Sequence, residues 1–271
     1  MRTLYKKKIA ITGSTGLLGS HFYKKFNKKY KIVKCKERIE NFNHLKKWIN
    51  KKNFDYFIHF AAITNGKKKE LEKINTSSAI NLLKSLNNHK NLKFFLFIST
   101  SHVYNYTNQK IRETAQTKSI SNYGLSKKKV EDFIIKNRKL FNYKIGIARI
   151  FNITGPKQKK GHFVPDIFKT IKENNFIDNI NTCRDFIHID DVVESLKLII
   201  NNKFEKPINI GSGKKINLIK ICKILNSLYF KKKILYGKKG TGDLCADNSL
   251  LKSLGKKNFK NINQILMSYK K

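Results

Sequence analysis

Acidic side chains are scarce in this sequence. Its 271 residues carry 18 Asp and Glu against 58 Lys and Arg, a formal charge of +40. Proline is scarcer, with three in the whole chain, so few obligatory breaks interrupt regular elements. The four cysteines, Cys35, Cys183, Cys222 and Cys245, are scattered and form no CxxC pair. That excludes the spacing of a disulfide framework or a zinc ribbon, and no metal site is expected. A reducing, cytoplasmic setting is the expectation. No run of about 18 apolar residues appears, so no membrane span is expected. No apolar N-terminal stretch with a cleavage site reads as a signal peptide.

What is present is a globular composition, 40% hydrophobic, with lysine spread along its whole length. The lysines fall in short runs such as Lys6-Lys7-Lys8, Lys67-Lys68-Lys69 and Lys231-Lys232-Lys233. They are not gathered in one arm, and no DNA- or RNA-binding motif accompanies them, so a specific nucleic-acid function is not expected. The charge does favour anionic small ligands.

Short apolar runs alternate with helix-period segments over the first 150 residues. Lys8–Thr12, Lys31–Cys35, Tyr56–Ala61, Phe94–Ile98 and Lys144–Ile150 read as strands. Leu17–Phe26, His44–Lys51, Ile74–Leu86 and Asn122–Lys136 read as helices. Such alternation implies a doubly wound parallel sheet covered on both faces, an α/β fold. Beyond residue 150 the pattern is less even, with helices expected near Asp190–Ile200 and Leu218–Tyr229. The expected organisation is a dinucleotide-binding domain over 1–155 and a small α/β substrate lobe over 156–271, the chain returning to the first domain around 185–212.

Residues 9–20 read IAITGSTGLLGS. A β-branched strand ends at Thr12, and Gly13, Gly16 and Gly19 follow before an apolar helix. Gly13 permits a tight turn, Gly16 lets backbone amides approach a pyrophosphate, and Gly19 lets the helix pack close to the sheet. Position between a strand and a helix is the context that makes a glycine triplet a dinucleotide site. The end of the second strand should read the adenosine ribose. There Lys36 and Arg38 favour NADP while Glu37 favours NAD, with the balance slightly to NADP.

Asn122–Glu131 reads NYGLSKKKVE, which sets Tyr123 and Lys127 four apart on one helix face. A phenol of pKa about 10 is a poor base at neutral pH. A neighbouring ammonium favours the phenolate, which can then exchange a proton with a sugar hydroxyl. The spacing alone is common in a lysine-rich chain. The strand FFLFIST, however, ends in Ser99-Thr100-Ser101, where a hydroxyl can bond the reacting oxygen.

With these elements the chain resembles the extended short-chain dehydrogenases, the nucleotide-sugar epimerase and dehydratase family. The resemblance spans nearly the whole chain through ITGSTGLLGSH, FDYFIHFAA, the helix of Asn75, ISTSHVY, YGLSK, ARIFNITGP, RDFIHIDDV and INIGSG, in the family's order. It implies an NAD(P)-dependent enzyme acting on a nucleotide-diphosphate sugar, with hydride transfer at a sugar carbon, C4. It implies Thr100, Tyr123 and Lys127 as catalytic residues. It assigns the cofactor to Gly13, Thr15, Gly16, Leu17, Leu18, Gly19, Phe60, Ala61, Ala62, Asn75 and Ser99, with Tyr123 and Lys127. Asn152 and Arg184 match positions that touch the substrate, and relatives imply a homodimer.

Departures refine the expectation. The family's 4,6-dehydratases carry an acidic pair directly after the catalytic threonine, where this chain has Ser101 and His102. In the GDP-fucose synthase branch, a reductase of 4-keto-6-deoxy sugars, a Cys and a His occupy the positions of His102 and His162. Two imidazoles beside a ketone can move protons, so both are candidate acid–base groups. The family's Arg-x-Gly-Asp segment appears as Gly240-Thr241-Gly242-Asp243, without the arginine that would clamp a diphosphate. The leading expectation is an epimerase or oxidoreductase. The alternatives are an NADPH-dependent reductase, then a dehydratase or a non-catalytic dinucleotide-binding module.

Overall fold

The computed structural model describes residues 6–270. The chain divides into two compact units, one of residues 1–104, 116–149 and 196–208, the other of 105–115, 150–195 and 209–271.

The first unit is built on a six-stranded sheet. Its strands are β1 (Lys8–Thr12), β2 (Lys31–Lys34), β3 (Tyr56–His59), β4 (Phe94–Thr100), β5 (Lys144–Ile150) and β6 (Pro207–Ile210). They lie in the order β6-β5-β4-β3-β1-β2. β1 pairs in parallel with β2 and β3, and β3 with β4. Every residue of β4 is buried. This is why FFLFIST reads as a continuous apolar run rather than an alternation: helices cover both faces of a central parallel strand. β2 lies at the edge, and its terminal Lys31 and Lys34 blunt that edge.

Helices α1 (Leu17–Phe26), α2 (Phe42–Lys51), α3 (Lys68–Leu71), α4 (Ser78–Leu86) and α5 (Asn122–Asn137) complete the unit. Between α3 and α4 a π-turn spans Glu72–Ser77. One core cluster joins Leu45 and Ile49 of α2, Leu82, Leu83 and Leu86 of α4 and Val130 and Ile134 of α5 to Phe57, Phe95, Phe97, Ile145 and Ile147 of the sheet. The strand order changes direction between β1 and β3. In such sheets the crevice beyond the strand C-termini at that point is where ligands bind.

The expected strands and helices of this unit are present, with shifts at their ends. β3 stops at His59 rather than Ala61, and the Ala61 amide bonds the Thr12 side chain. β6, read in the sequence only as part of INIGSG, is the sixth strand of the sheet.

The second unit holds α6 (Phe163–Glu173), the start of α7 (Ile189–Asn202), α8 (Leu218–Tyr229), α9 (Ser249–Ser253) and α10 (Ile262–Met267). Three two-stranded ladders accompany them, such as Asn152–Thr154 with Phe186–His188 in parallel. Val164, Ile167 and Ile171 of α6 pack with Ile221, Cys222 and Leu225 of α8 and Leu266 of α10. Asp185 ties its loops together. The fully buried carboxylate accepts from the backbone amides of Ser212, Gly213 and Ala246 and from the Ser212 hydroxyl.

Candidate active site

The C-terminal end of β1 forms a turn that only glycine fits. Gly13 has φ +63°, and a Cβ there would lie 2.6 Å from the Ala61 amide nitrogen. Beneath it, Thr12 Oγ1 accepts from the Ala61 amide at 3.3 Å and bonds His59 Nδ1 at 2.9 Å. α1 then starts from Gly16 with no side-chain cap and no carboxylate in its first turn. Its opening amides and the positive end of its dipole are therefore suited to an anion. Thr15 and Gly16 are exposed, Leu17 and Leu18 are half-buried and Gly19 is buried. Phe60 and Ala61 are half-buried and Ala62 is exposed on the facing strand end. These residues fit a dinucleotide pyrophosphate.

Beyond β2, Lys36 and Arg38 are exposed and line a surface hollow of about 660 Å³ together with Glu37, Glu40, Asn41 and His44. Arg38 is paired with Glu40 at 3.3 Å, and Glu37 lies 3.7 Å from His44. The hollow therefore offers both signs of charge.

α5 brings the catalytic candidates together. Its N-cap Ser121 accepts from the Gly124 amide at 3.0 Å and contacts His102 Nδ1 at 3.2 Å. Gly124 is required by proximity, since a Cβ would lie 2.2 Å from the His102 carbonyl oxygen. The helix start is thus pressed against the turn Ser101–Val103 that follows β4. Thr100, nearly buried, accepts from the His102 amide at 3.2 Å, which leaves its O–H to donate. The His102 ring meets the Tyr123 ring edge-on at 6.1 Å. Lys127, 2% exposed, lies with its ammonium 4.5 Å from the centre of the Phe97 ring.

The electrostatics follow from burial. Burial pushes the Tyr123 phenol up to about 12. Burial also lowers the Lys127 ammonium to about 7, with Glu131 opposing that shift. His59, enclosed and stacked with Phe95 and Phe97, is driven down to about 3 by burial and then by Lys127, so it is neutral. A neutral tyrosine and a strained ammonium mean that phenolate formation needs further positive charge.

Two other candidates are held internally. Asn75, in the π-turn, accepts from the Ile63 amide at 3.0 Å and donates to the Ile63 carbonyl at 2.8 Å and to Ser126 Oγ at 3.1 Å. Ser99 donates to the Glu131 carboxylate. Glu131 in turn forms a buried pair with Arg149, whose Nη1 donates to Tyr104 Oη at 2.7 Å. The sequence reading passed over Glu131, Arg149 and His59. Signals for them exist: Glu131 continues the Tyr123–Lys127 face by one more turn, and Arg149 is a lone charge inside the apolar strand KIGIARI, which demands a partner.

The remaining candidates belong to the second unit. His162 is half-buried at the N-cap of α6. Asn152 donates through Nδ2 to the Asp185 carbonyl at 3.3 Å. Arg184 bonds Thr182 Oγ1 at 2.8 Å, the Gly242 carbonyl at 2.7 Å and Thr241 Oγ1 at 2.9 Å, and stacks on Tyr106. Its guanidinium thus braces the very segment that lacks the expected arginine. No described helix is long and apolar enough to cross a membrane.

Comparison with known proteins gives a consistent answer. The chain is 26% identical to a dTDP-D-glucose 4,6-dehydratase of Dictyostelium discoideum over 268 residues, and the match spans 81% of this chain but only 62% of that protein. The fold is similar to that of RMD from Pseudomonas aeruginosa, solved with NADPH, at a TM-score of 0.87 and 20% identity, covering 97% of each chain. It is also similar to a UDP-glucose 4-epimerase of Thermotoga maritima, solved with UDP-glucose, at a TM-score of 0.84 and 21% identity, covering 96% of each chain. Residues 9–211, which run from the glycine turn through the α5 pair to β6, match the model of the NAD dependent epimerase/dehydratase family, and the chain belongs to that family.

Proposed function

We propose that this chain is an NAD(P)-dependent nucleotide-sugar epimerase or oxidoreductase that moves hydride at C4 of the sugar, with Tyr123 as the acid–base group. The observation that supports this reading is the close packing of the start of α5, which carries Tyr123 with Lys127 one turn on, against the turn that follows Thr100: a Cβ on Gly124 would lie 2.2 Å from the His102 carbonyl oxygen, and the His102 ring meets Tyr123 at 6.1 Å. The glycine turn at Gly13–Gly19 would hold the dinucleotide pyrophosphate. A bound nicotinamide would supply the hydride exchange with the sugar carbon and, when oxidised, a positive charge beside Tyr123. Tyr123, ionised under that charge and the Lys127 ammonium, takes the proton of the C4 hydroxyl. Thr100 donates a hydrogen bond to the same oxygen, and the return step reverses the proton transfer. Asn152, Arg184 and His162 are the substrate-binding and acid–base candidates that the family resemblance adds to this proposal.

Water elimination is disfavoured, because Ser101 and His102 stand where a dehydratase needs carboxylates. A reductase of a 4-keto sugar is the second reading. It is favoured by the edge-on placement of His102 against Tyr123, which puts a second proton-transfer group beside the first.

The test is to denature the purified protein, identify any released nucleotide by mass spectrometry, and titrate the folded protein with NADH and NADPH. Retained NAD supports the epimerase, since the hydride is recycled within one site. An empty protein that prefers NADPH supports the reductase. Binding of neither refutes the proposal.

A further inference from the structure

The helix face that carries Tyr123 and Lys127 continues one turn further to Glu131, which is 1% exposed. A carboxylate so placed serves no solvent-facing purpose, and its partners come from two other elements. Arg149 of β5 meets both its oxygens, Nε donating to Oε1 at 3.3 Å and Nη2 to Oε2 at 2.6 Å, a bidentate pair, and Ser99 of β4 donates to its Oε1. Burial works against the Arg149 charge, but Glu131 and then Tyr104 outweigh it and raise its pKa. Ser99 immediately precedes Thr100, so the same carboxylate reaches the strand end that presents the proposed hydroxyl. One side chain therefore ties α5 to β4 and β5 directly behind the proposed site.

We propose that Glu131 is a positioning residue of this site: it fixes the Thr100 strand end against α5 and supplies the counter-charge for the buried ammonium of Lys127. The inference rests on the reading of Thr100, Tyr123 and Lys127 given above.

The surroundings of Lys127 leave little else to do this. On α5 it shares its face with Tyr123, a neutral phenol, and with Glu131. From β3 it is met by His59, which is neutral and offers no negative charge. From β4 it is met by the Phe97 ring. His102, on the turn after β4, faces Tyr123 and Ser121. Arg149 on β5 brings a second positive charge, held on Glu131. Glu72, on the π-turn packed against α5, is engaged outward with Lys129 at 2.6 Å, where both side chains are well exposed. Glu131 lies one turn along the same buried face of α5, and its charge opposes the loss of the Lys127 proton.

The experiment reads Lys127 directly in the full-length protein. Lysine labelled with ¹³C at Cε is titrated by NMR, and the Lys127 resonance is identified by its loss in Lys127→Arg. Glu131→Gln is expected to lower the Lys127 midpoint by about one pH unit or more, a tenfold loss of proton affinity. That variant leaves a buried guanidinium unpaired, so Glu131→Gln combined with Arg149→Met is titrated alongside, and the same fall is expected there. A folded variant whose midpoint stays within about threefold of the wild type overturns the proposal. A purely structural role would lower the melting temperature and leave the midpoint in place. The titration needs no cofactor, so it stands apart from the functional reading. Wild-type protein that binds neither NADH nor NADPH refutes that reading, whereas normal cofactor binding with an unmoved midpoint refutes the role of Glu131 alone.

Discussion

Replacing Lys127 by methionine should stabilise the protein near neutral pH, and the gain should vanish as the solution becomes alkaline. Lys127 is 2% exposed, and burial takes its ammonium from 10.5 to about 7. At about 1.4 kcal/mol per unit, this places the cost of holding the charge at about 5 kcal/mol. Below pH 7 the residue is protonated in both folded and unfolded chains, and the folded state bears the full cost. Between pH 7 and 10.5 the unfolded chain keeps a proton that the folded chain has released. The unfolded state then binds more protons, so wild-type stability rises with pH, by up to about 1.4 kcal/mol per unit. Above 10.5 both forms are neutral and the cost is gone. Lys127→Met lacks this titration. Its advantage should be largest below pH 7 and should fall by about 5 kcal/mol toward pH 10.5. The difference in packing between the two side chains does not depend on pH and cancels from the trend, as do the other lysines. Urea unfolding of both proteins from about pH 6 to about pH 10, compared by midpoint at equal m-value, measures it. A stability difference that stays constant over that range refutes the reasoning.

Tyr123→Phe should leave NADH or NADPH affinity within about twofold while cutting turnover by roughly a hundredfold, the usual scale for a lost proton-transfer group. Parallel fluorescence titration and steady-state kinetics check this, and near-normal turnover would remove Tyr123 from the chemistry. Gly124→Ala should force α5 away from the His102 carbonyl, where an added Cβ would sit 2.2 Å from the oxygen. Overpacking of this kind costs about 1–3 kcal/mol, so a lowered melting temperature is expected together with a loss in turnover larger than the loss in cofactor affinity.

The sheet was legible because its interior strands are buried on both faces and read as unbroken apolar runs. The glycine turn was legible because its three glycines fall between such a strand and an amphipathic helix. Tyr123 and Lys127 were legible through spacing, since i and i+4 define a helix face whatever surrounds it. What stayed hidden is polar and long-range. The buried stripe of α5 contains Ser126, Lys127 and Glu131 among Val130 and Ile134, so a hydrophobic pattern reads half of its core side as surface. Arg149 and Glu131 lie 18 residues apart on different elements, and nothing local pairs them. β6 has four residues, too few to declare an alternation before the Gly-Ser-Gly turn. The ladders of the second unit are two or three residues per strand, below the length at which periodicity exists at all.

The way the chain threads between its two units governs how it can be made. A ribosome releases β1 to β5 first, and the outer neighbour of β5 in the finished sheet is β6, more than fifty residues later. Likewise the Asp185 carboxylate waits for Ala246, and Asp191 waits for Lys256 and Lys260. Neither unit can close on a nascent chain that stops short of these residues. During that interval β5, with six of its seven residues destined for burial, presents a bare edge that another emerging copy could pair with. Like-charged nascent chains repel one another, so a formal charge of +40 works against such pairing while those edges are still open.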